Sequence, residues 1–308
     1  MAQLETKAKT NPNLPKPITP QQALESALTQ IPAELAKITV IEPKPELPVG
    51  PKKAEPVTLV HIQQLHGNNV TFDVSRLPKE LVEASRRLLP MGQKQQGQIL
   101  DVLVNKAGVK EAYLENMPPA TLEYFTNLIS MLQGQEGKIL SVVMERTKAE
   151  TPEQLRKYLE VNKNSKDPLV LLLKEQAERT WIPLMEGRQQ LAEDFMLRAA
   201  YYGKVKILAS EDPKLHQAAL DMVKNNPGIT FGEGGDLAFN NLQNQRDAYF
   251  LSQMVKSGKP VSVIALGAGH SLRDEVAAHN KANPNKPIRL VEILPKAAEE
   301  FLKYAEKK

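Results

Sequence analysis

Two histidines in this chain follow short apolar runs at glycine-containing turns, a placement that suits acid–base or metal chemistry. Val261-Ser-Val-Ile-Ala-Leu266 runs into Gly267-Ala-Gly-His270, and Val57-Thr-Leu-Val-His-Ile62 runs into Gln63-Gln-Leu-His66-Gly67. A further run closes on Tyr113-Leu-Glu115-Asn116. Ligands in open parallel sheets bind outside the carboxyl ends of the strands. If these runs are parallel strands, His66, His270 and Glu115 share that edge. Two imidazoles and one carboxylate there would suit a divalent metal or a His/Glu acid–base pair. The plainer alternative leaves Gly267 and Gly269 as a tight turn, Glu115 as a solvated strand end, and the histidines unrelated.

Arg246 adds a cation. At about 100° per residue it shares an arc of a predicted helix with Phe239, Leu242, Tyr249 and Phe250, so it points where apolar groups point. A guanidinium buried there needs an anion. Glu115, an internal carboxylate such as Asp212, and a substrate anion are all open as its partner. The turn Phe231-Gly-Glu-Gly-Gly-Asp236 invites a phosphate reading but lacks a P-loop lysine, and Asp236 as helix N-cap explains it more simply. Neither a Gly-x-Ser-x-Gly elbow nor a His-Glu-x-x-His helix occurs.

The elements that must position these groups alternate from Val57 onward. The pattern predicts a strand at 57–62, helices over 77–89 and 93–105, a strand at 109–115, and a helix near 120–132. Residues 138–144 are ambiguous between strand and helix. A capping box, Thr151-Pro-Glu-Gln154, starts a further helix that leads into a long, mostly helical middle from Asp167 to Tyr202, which holds the only tryptophan, Trp181. Strands at 204–208, 261–266 and 288–293 then alternate with helices at 213–224, 237–256 and 272–281, and a last helix starts at Pro295. Ser271 is the candidate N-cap of the helix after His270. The expected fold is α/β: a mostly parallel sheet flanked by helices, with a helical insertion in the middle.

Ten of the 23 prolines precede Val57. Residues 1–56 therefore read as a proline-rich, largely disordered tail, and 57–308 as the α/β ligand-binding or catalytic domain. Within the tail, Thr19-Pro-Gln-Gln22 is a second capping box and predicts a short amphipathic helix at about 20–37, docking on its own domain, a partner or a second copy.

Composition narrows the chemistry. The chain has no cysteine, so thiolate nucleophiles, disulfides and Cys-ligated metals are excluded, and it has five histidines. Forty Lys and Arg face 36 Asp and Glu, a formal charge of +4 with no basic block, which gives no support for nucleic-acid binding. The longest apolar run, Leu169 to Leu173, cannot span a bilayer, and the N-terminus lacks a secretion signal. No transmembrane segment and a cytoplasmic location are the default expectations.

Four places together resemble the superfamily that includes TraB and Tiki proteins, erythromycin esterases and ChaN haem-binding lipoproteins. They are Thr58-Leu-Val-His-Ile-Gln-Gln-Leu-His-Gly67, Leu114-Glu115, Gln245-Arg246-Asp247-Ala-Tyr249 and Leu266-Gly-Ala-Gly-His270. Gly267 and His270 fit the Gly-x-x-His that TraB and Tiki proteins carry after a late strand. The earlier Gly-x-x-His is incomplete, because Gln63 stands where glycine is expected and only His66 matches. A glutamine there would restrict the approach of a metal or substrate.

For Tiki-like members the resemblance implies a metal-dependent hydrolase of amide or ester bonds acting on a small-molecule or peptide substrate. His66, His270 and Glu115 would hold a divalent metal ion, with Glu115 also a candidate general base and Arg246 holding a substrate carboxylate or the developing oxyanion. For ChaN-like members it implies a non-catalytic protein carrying haem, a metal or another small ligand. A third reading makes the chain an interaction protein whose proline-rich tail recruits partners.

Overall fold

A computed structural model describes residues 18–43, 55–65, 79–226, 235–268 and 270–305. These residues form one six-stranded sheet with helices on both faces. The strands are β1 (Ala36–Ile41), β2 (Val57–Gln64), β3 (Glu111–Leu114), β4 (Lys206–Leu208), β5 (Val261–Gly267) and β6 (Ile288–Pro295). Their order is β1-β6-β2-β5-β3-β4, all parallel except β1, which runs antiparallel to β6. The expected α/β fold with a mostly parallel sheet is thus present. The two strands richest in chemistry, β2 and β5, lie side by side at its centre, buried on both faces as their apolar runs require.

The two faces carry different cores. Val60, Ile62, Val263, Ala265, Val291 and Ile293 pack under α1 (Pro20–Leu28), α2 (Lys79–Ala107) and the central helices. Leu59, Ile264, Leu266 and Leu290 face Phe250, Leu251 and Met254 of α10 (Leu237–Lys256) and Leu272 and Val276 at α11 (Arg273–Ala282). The odd residues of β2 and the even residues of β5 and β6 therefore point toward α10 and α11. His61, Ile264 and Glu292 are in register across that face.

Between β3 and β4 the chain forms a series of helices joined by short loops. It forms α3 (Pro119–Gln133), α4 (Gln135–Thr147), α5 (Pro152–Val161) and α6 (Pro168–Gln176), then a π-helical turn (Ala177–Trp181), α7 (Ile182–Glu193) and α8 (Phe195–Tyr201). The ambiguous 138–144 stretch is thus helix, inside α4. Both capping boxes form with their reciprocal hydrogen bonds, at Thr19 and Thr151. The remaining helices are α9 (Pro213–Asn225) and α12 (Lys296–Ala305). Among the described residues no helix is long and apolar enough to cross a membrane.

Four local expectations need correction. The tail does not extend unbroken to residue 56, because Ala36–Ile41 pairs with β6 as an edge strand. The prolines flank this segment without interrupting it, and an antiparallel edge needs only one bonded side. The helix expected over 20–37 ends at Leu28, and its Leu24 and Ala27 are fully buried in the core. The helices expected at 77–89 and 93–105 are one helix, α2, which runs through Pro90. Pro90 is exposed, so the Arg86 carbonyl it cannot serve lies on the solvent side. Finally, α11 is capped at Leu272, and the Ser271 hydroxyl only reaches the Arg273 amide at 3.5 Å.

Candidate functional site

Glu115 takes its position from the end of β3. Its amide donates to the Ala265 carbonyl of β5 at 3.0 Å, continuing the ladder one residue past the strand. Asn116 then turns the chain in a left-handed conformation (φ +58°), which asparagine tolerates better than most residues. The Glu115 carboxylate folds back over β5, where its Oε2 accepts the Gly267 amide at 2.5 Å. This bond joins the ends of two neighbouring parallel strands.

His270 arrives from the turn after β5, its amide donating to the Gly267 carbonyl at 2.9 Å. Its ring is gripped from both sides: Nδ1 lies 2.6 Å from Asp247 Oδ1, and Nε2 lies 3.2 Å from Glu115 Oε1. Burial works against a charge on this imidazole. The Glu115 charge and the hydrogen bonds to Asp247 and Glu115 outweigh it and push the pKa up to about 10. His270 is therefore an imidazolium at neutral pH, donating from both nitrogens. Burial, with the Glu115 charge, raises the Asp247 carboxyl, against the pull of His270.

Arg246 and Asp247 are neighbours on α10. The buried stripe of that helix, Phe239, Leu242, Gln243, Arg246, Asp247, Phe250, Leu251 and Met254, has the spacing of a helix face pressed on a sheet. The partner of Arg246 is Glu211, the residue before the Asp212 named from the sequence. Nε and Nη2 contact the two Glu211 oxygens at 3.1 and 2.5 Å. Nη1 donates to Gln243 Oε1 at 2.5 Å, Nη2 also lies 3.3 Å from Asn116 Oδ1, and the guanidinium sits 5.8 Å from the Phe250 ring centre. Glu115 is farther, at 3.7 Å. With its donors so engaged, Arg246 holds the turn after β3 and lends positive charge to Glu115. Burial opposes the charge of Glu211, but the adjacent His216 ring, 3.6 Å away, and the hydrogen bonds from Arg246 prevail and hold its pKa below the usual carboxylate range. Asp212 caps α9, accepting the Lys214 and Leu215 amides.

Three of the four residues singled out in the sequence, Glu115, Arg246 and His270, thus meet at the carboxyl edge of β3 and β5. His66 lies outside the described residues, as do Gly67 and Gly269 and the glycine-rich turn up to Gly234. Asp247, Glu211 and His61 were not singled out. Asp247 was visible in the spacing of α10, four residues after Gln243 and three before Phe250. Glu211 had no local signal, since only the placement of β4 beside β3 brings it to Arg246.

His61 is the unexpected member. It is wholly buried on the α10 and α11 face of β2, and neither ring nitrogen has a hydrogen-bond partner of good geometry among the described residues. Burial lowers its pKa to about 3, helped by the His270 charge; the Leu266 backbone and the Glu115 charge favour its proton slightly. One neutral and one charged imidazole therefore share this side of the sheet. Gln63, two residues further along β2, lies on the same face and in register with Leu266. Gln93 and Gln96 of α2 pin the end of β2 through the Leu65 and Gln63 carbonyls.

Among the described residues no group of three or more histidine, aspartate and glutamate side chains is arranged to hold a metal ion. His270 Nε2 and Glu115 Oε1 are two donor atoms, but the imidazole carries the proton a metal would have to displace. The described residues alone therefore do not make a metal centre. They make a hydrogen-bonded chain, Asp247–His270–Glu115, able to give and take a proton at one sheet edge. No family model, curated protein or solved structure matches the chain.

Proposed function

We propose that the chain is a hydrolase of ester or amide bonds, built on the TraB/Tiki-like plan of the erythromycin esterase/ChaN-like superfamily. The observation that carries this reading is the Asp247–His270–Glu115 chain at the carboxyl edge of a parallel sheet. Three of the four segments on which the resemblance rests contribute to it, and they come from well-separated parts of the sequence.

In this mechanism Glu115 accepts a proton from water as its oxygen attacks the carbonyl carbon. The bond to the leaving oxygen or nitrogen breaks, and His270 passes that atom its Nε2 proton. Asp247 keeps the ring oriented and stabilises the imidazolium before and after transfer. The proton gained by Glu115 returns to His270 across their contact, which restores the starting state. Arg246 is a positioning residue here, because Glu211, Gln243 and Asn116 already engage its guanidinium. A divalent ion, if used, would add His66 to His270 and Glu115 and supply a more acidic water.

His270→Ala and Glu115→Gln are each expected to lower turnover of a p-nitrophenyl ester by about 10²–10⁴-fold. Protein purified without chelator and analysed for metal content separates the two forms of the proposal: bound metal lost with His66→Ala favours the metal-assisted form. Turnover indifferent to both substitutions, in protein that remains folded, rules the hydrolase out. Gln63, where the related motif has glycine, favours a second reading as a binding protein of the same superfamily. Haem addition giving a Soret band, with no hydrolysis of any ester or amide offered, would select it.

A further inference from the structure

The opposite edge of the sheet carries a second concavity. Where β3 and β4 begin, a pocket of about 640 Å³ opens between α3, the end of α2, and the turns entering the two strands. Its volume falls within the range of about 300–1,000 Å³ usual for small-molecule sites. One wall is a stripe of α3, Leu122, Phe125, Thr126 and Ile129, at the i, i+3, i+4, i+7 spacing of a single helix face. α3 already buries a different face, through Leu128 and Leu132. Leu122, Phe125 and Ile129 are only partly covered. Val104, Val109, Val205 and Ile207 supply the facing apolar wall.

The mouth is basic. Lys110, Lys204 and Lys206 line it. Lys204 pairs with Asp101 at 2.7 Å, while Glu111 is paired with Lys259 and lies 4.0 Å from Lys206. Lys110 is exposed and has no acidic partner among the described residues. With Lys204 set against Asp101 and Lys259 against Glu111, Lys110 and Lys206 leave an excess of two positive charges beside an apolar hollow. The rim also includes Gly108 and Gly203, where a Cβ would meet no atom within 4 Å, so no side chain closes the opening at these points.

We propose that this pocket binds a single-chain aliphatic carboxylate, its tail along the α3 stripe and its carboxylate among Lys110, Lys204 and Lys206. An apolar body with one anionic end matches both the wall and the mouth. A cationic or fully polar ligand matches neither. The four residues of β3 span roughly 13 Å, so the site is separate from Glu115 and His270 and rests on nothing proposed for them.

Calorimetric titration of the full chain with decanoate tests it. The expected result is saturable one-to-one uptake of decanoate and none of decyltrimethylammonium. Thr126→Trp, an exposed position that would place an indole across the hollow, is expected to weaken uptake at least about tenfold. The double substitution Lys110→Glu with Lys206→Glu should weaken it by a similar factor. Melting temperatures establish that both variants are folded. Absence of decanoate uptake, equal uptake of the cationic amphiphile, or uptake unchanged in both variants overturns the proposal. So does sedimentation showing a dimer that Thr126→Trp dissociates, because a second copy would then own this face.

Discussion

At the scale of single residues the decisive groups are the two imidazoles on one side of the sheet. His270 is charged because two carboxylates grip it, and His61 is neutral because burial and the His270 charge disfavour its proton. Asp247→Asn leaves the geometry available but removes one of the two charges. The His270 pKa should fall from about 10 toward its ordinary value, as NMR titration of the ring would show. Among the described residues His61 finds no hydrogen bond of good geometry, and unpartnered buried polar atoms cost about 1–3 kcal/mol. His61→Leu, of similar volume, is expected to raise unfolding free energy at pH 7 by roughly 1–2 kcal/mol, read from denaturant midpoints. A loss of stability would mean that the imidazole has a structural partner. The residues legible in the sequence were those with local punctuation around them, such as His270 after its glycines. His61 was hidden, since its position inside an apolar strand made it look like part of the core.

At the scale of elements, two glycines set how closely the central helices approach. A Cβ on Gly137 would lie 1.8 Å from the Leu132 carbonyl oxygen, a backbone atom that cannot yield without reopening the turn between α3 and α4. A Cβ on Gly187 of α7 would lie 2.6 Å from both Leu128 methyl groups of α3, which can rotate away. Gly137→Ala should therefore destabilise more than Gly187→Ala, the latter costing about 1–3 kcal/mol by overpacking. Equal losses in melting experiments would contradict this ranking. Element types were largely readable from periodicity, including both capping boxes and every strand from β2 onward. The strand β1 was not, because its alternating pattern lies among prolines and becomes a strand only by pairing with β6. The separation expected between helices 77–89 and 93–105 also failed, since tertiary packing along α2 overrides the one hydrogen bond missing at exposed Pro90.

For the whole molecule, the two histidines give opposite pH dependences. The folded chain keeps a proton on His270 that the unfolded chain releases, so this stabilisation is complete below pH 6.5 and lost as pH rises toward 10. The folded chain refuses a proton on His61 that the unfolded chain accepts, so stability falls as pH drops from 6.5 toward 3. Glu211, held below its ordinary pKa, steepens the acid limb, while Asp247, held above, opposes it. Stability should peak near pH 6.5, each limb having a slope of up to about 1.4 kcal/mol per pH unit. Denaturant unfolding across pH 4–9.5 measures the curve. His61→Leu should flatten its acid side and His270→Gln its alkaline side. A wild-type curve without an alkaline decline would mean that His270 is not protonated in the fold.

The sequence by itself determined the class of fold and the placing of Glu115 and His270 at strand ends, because hydrophobic period and glycine turns are local properties. It also determined that Arg246 faces inward, from helical spacing alone. Which carboxylate answers Arg246, which groups hold His270, and the presence of a neutral imidazole beneath it were decided by tertiary structure. The order β2-β5-β3-β4 brings together residues far apart in the chain, such as Glu115 and His270 at a separation of 155 positions. Pairing over such distances depends on the register of the whole sheet.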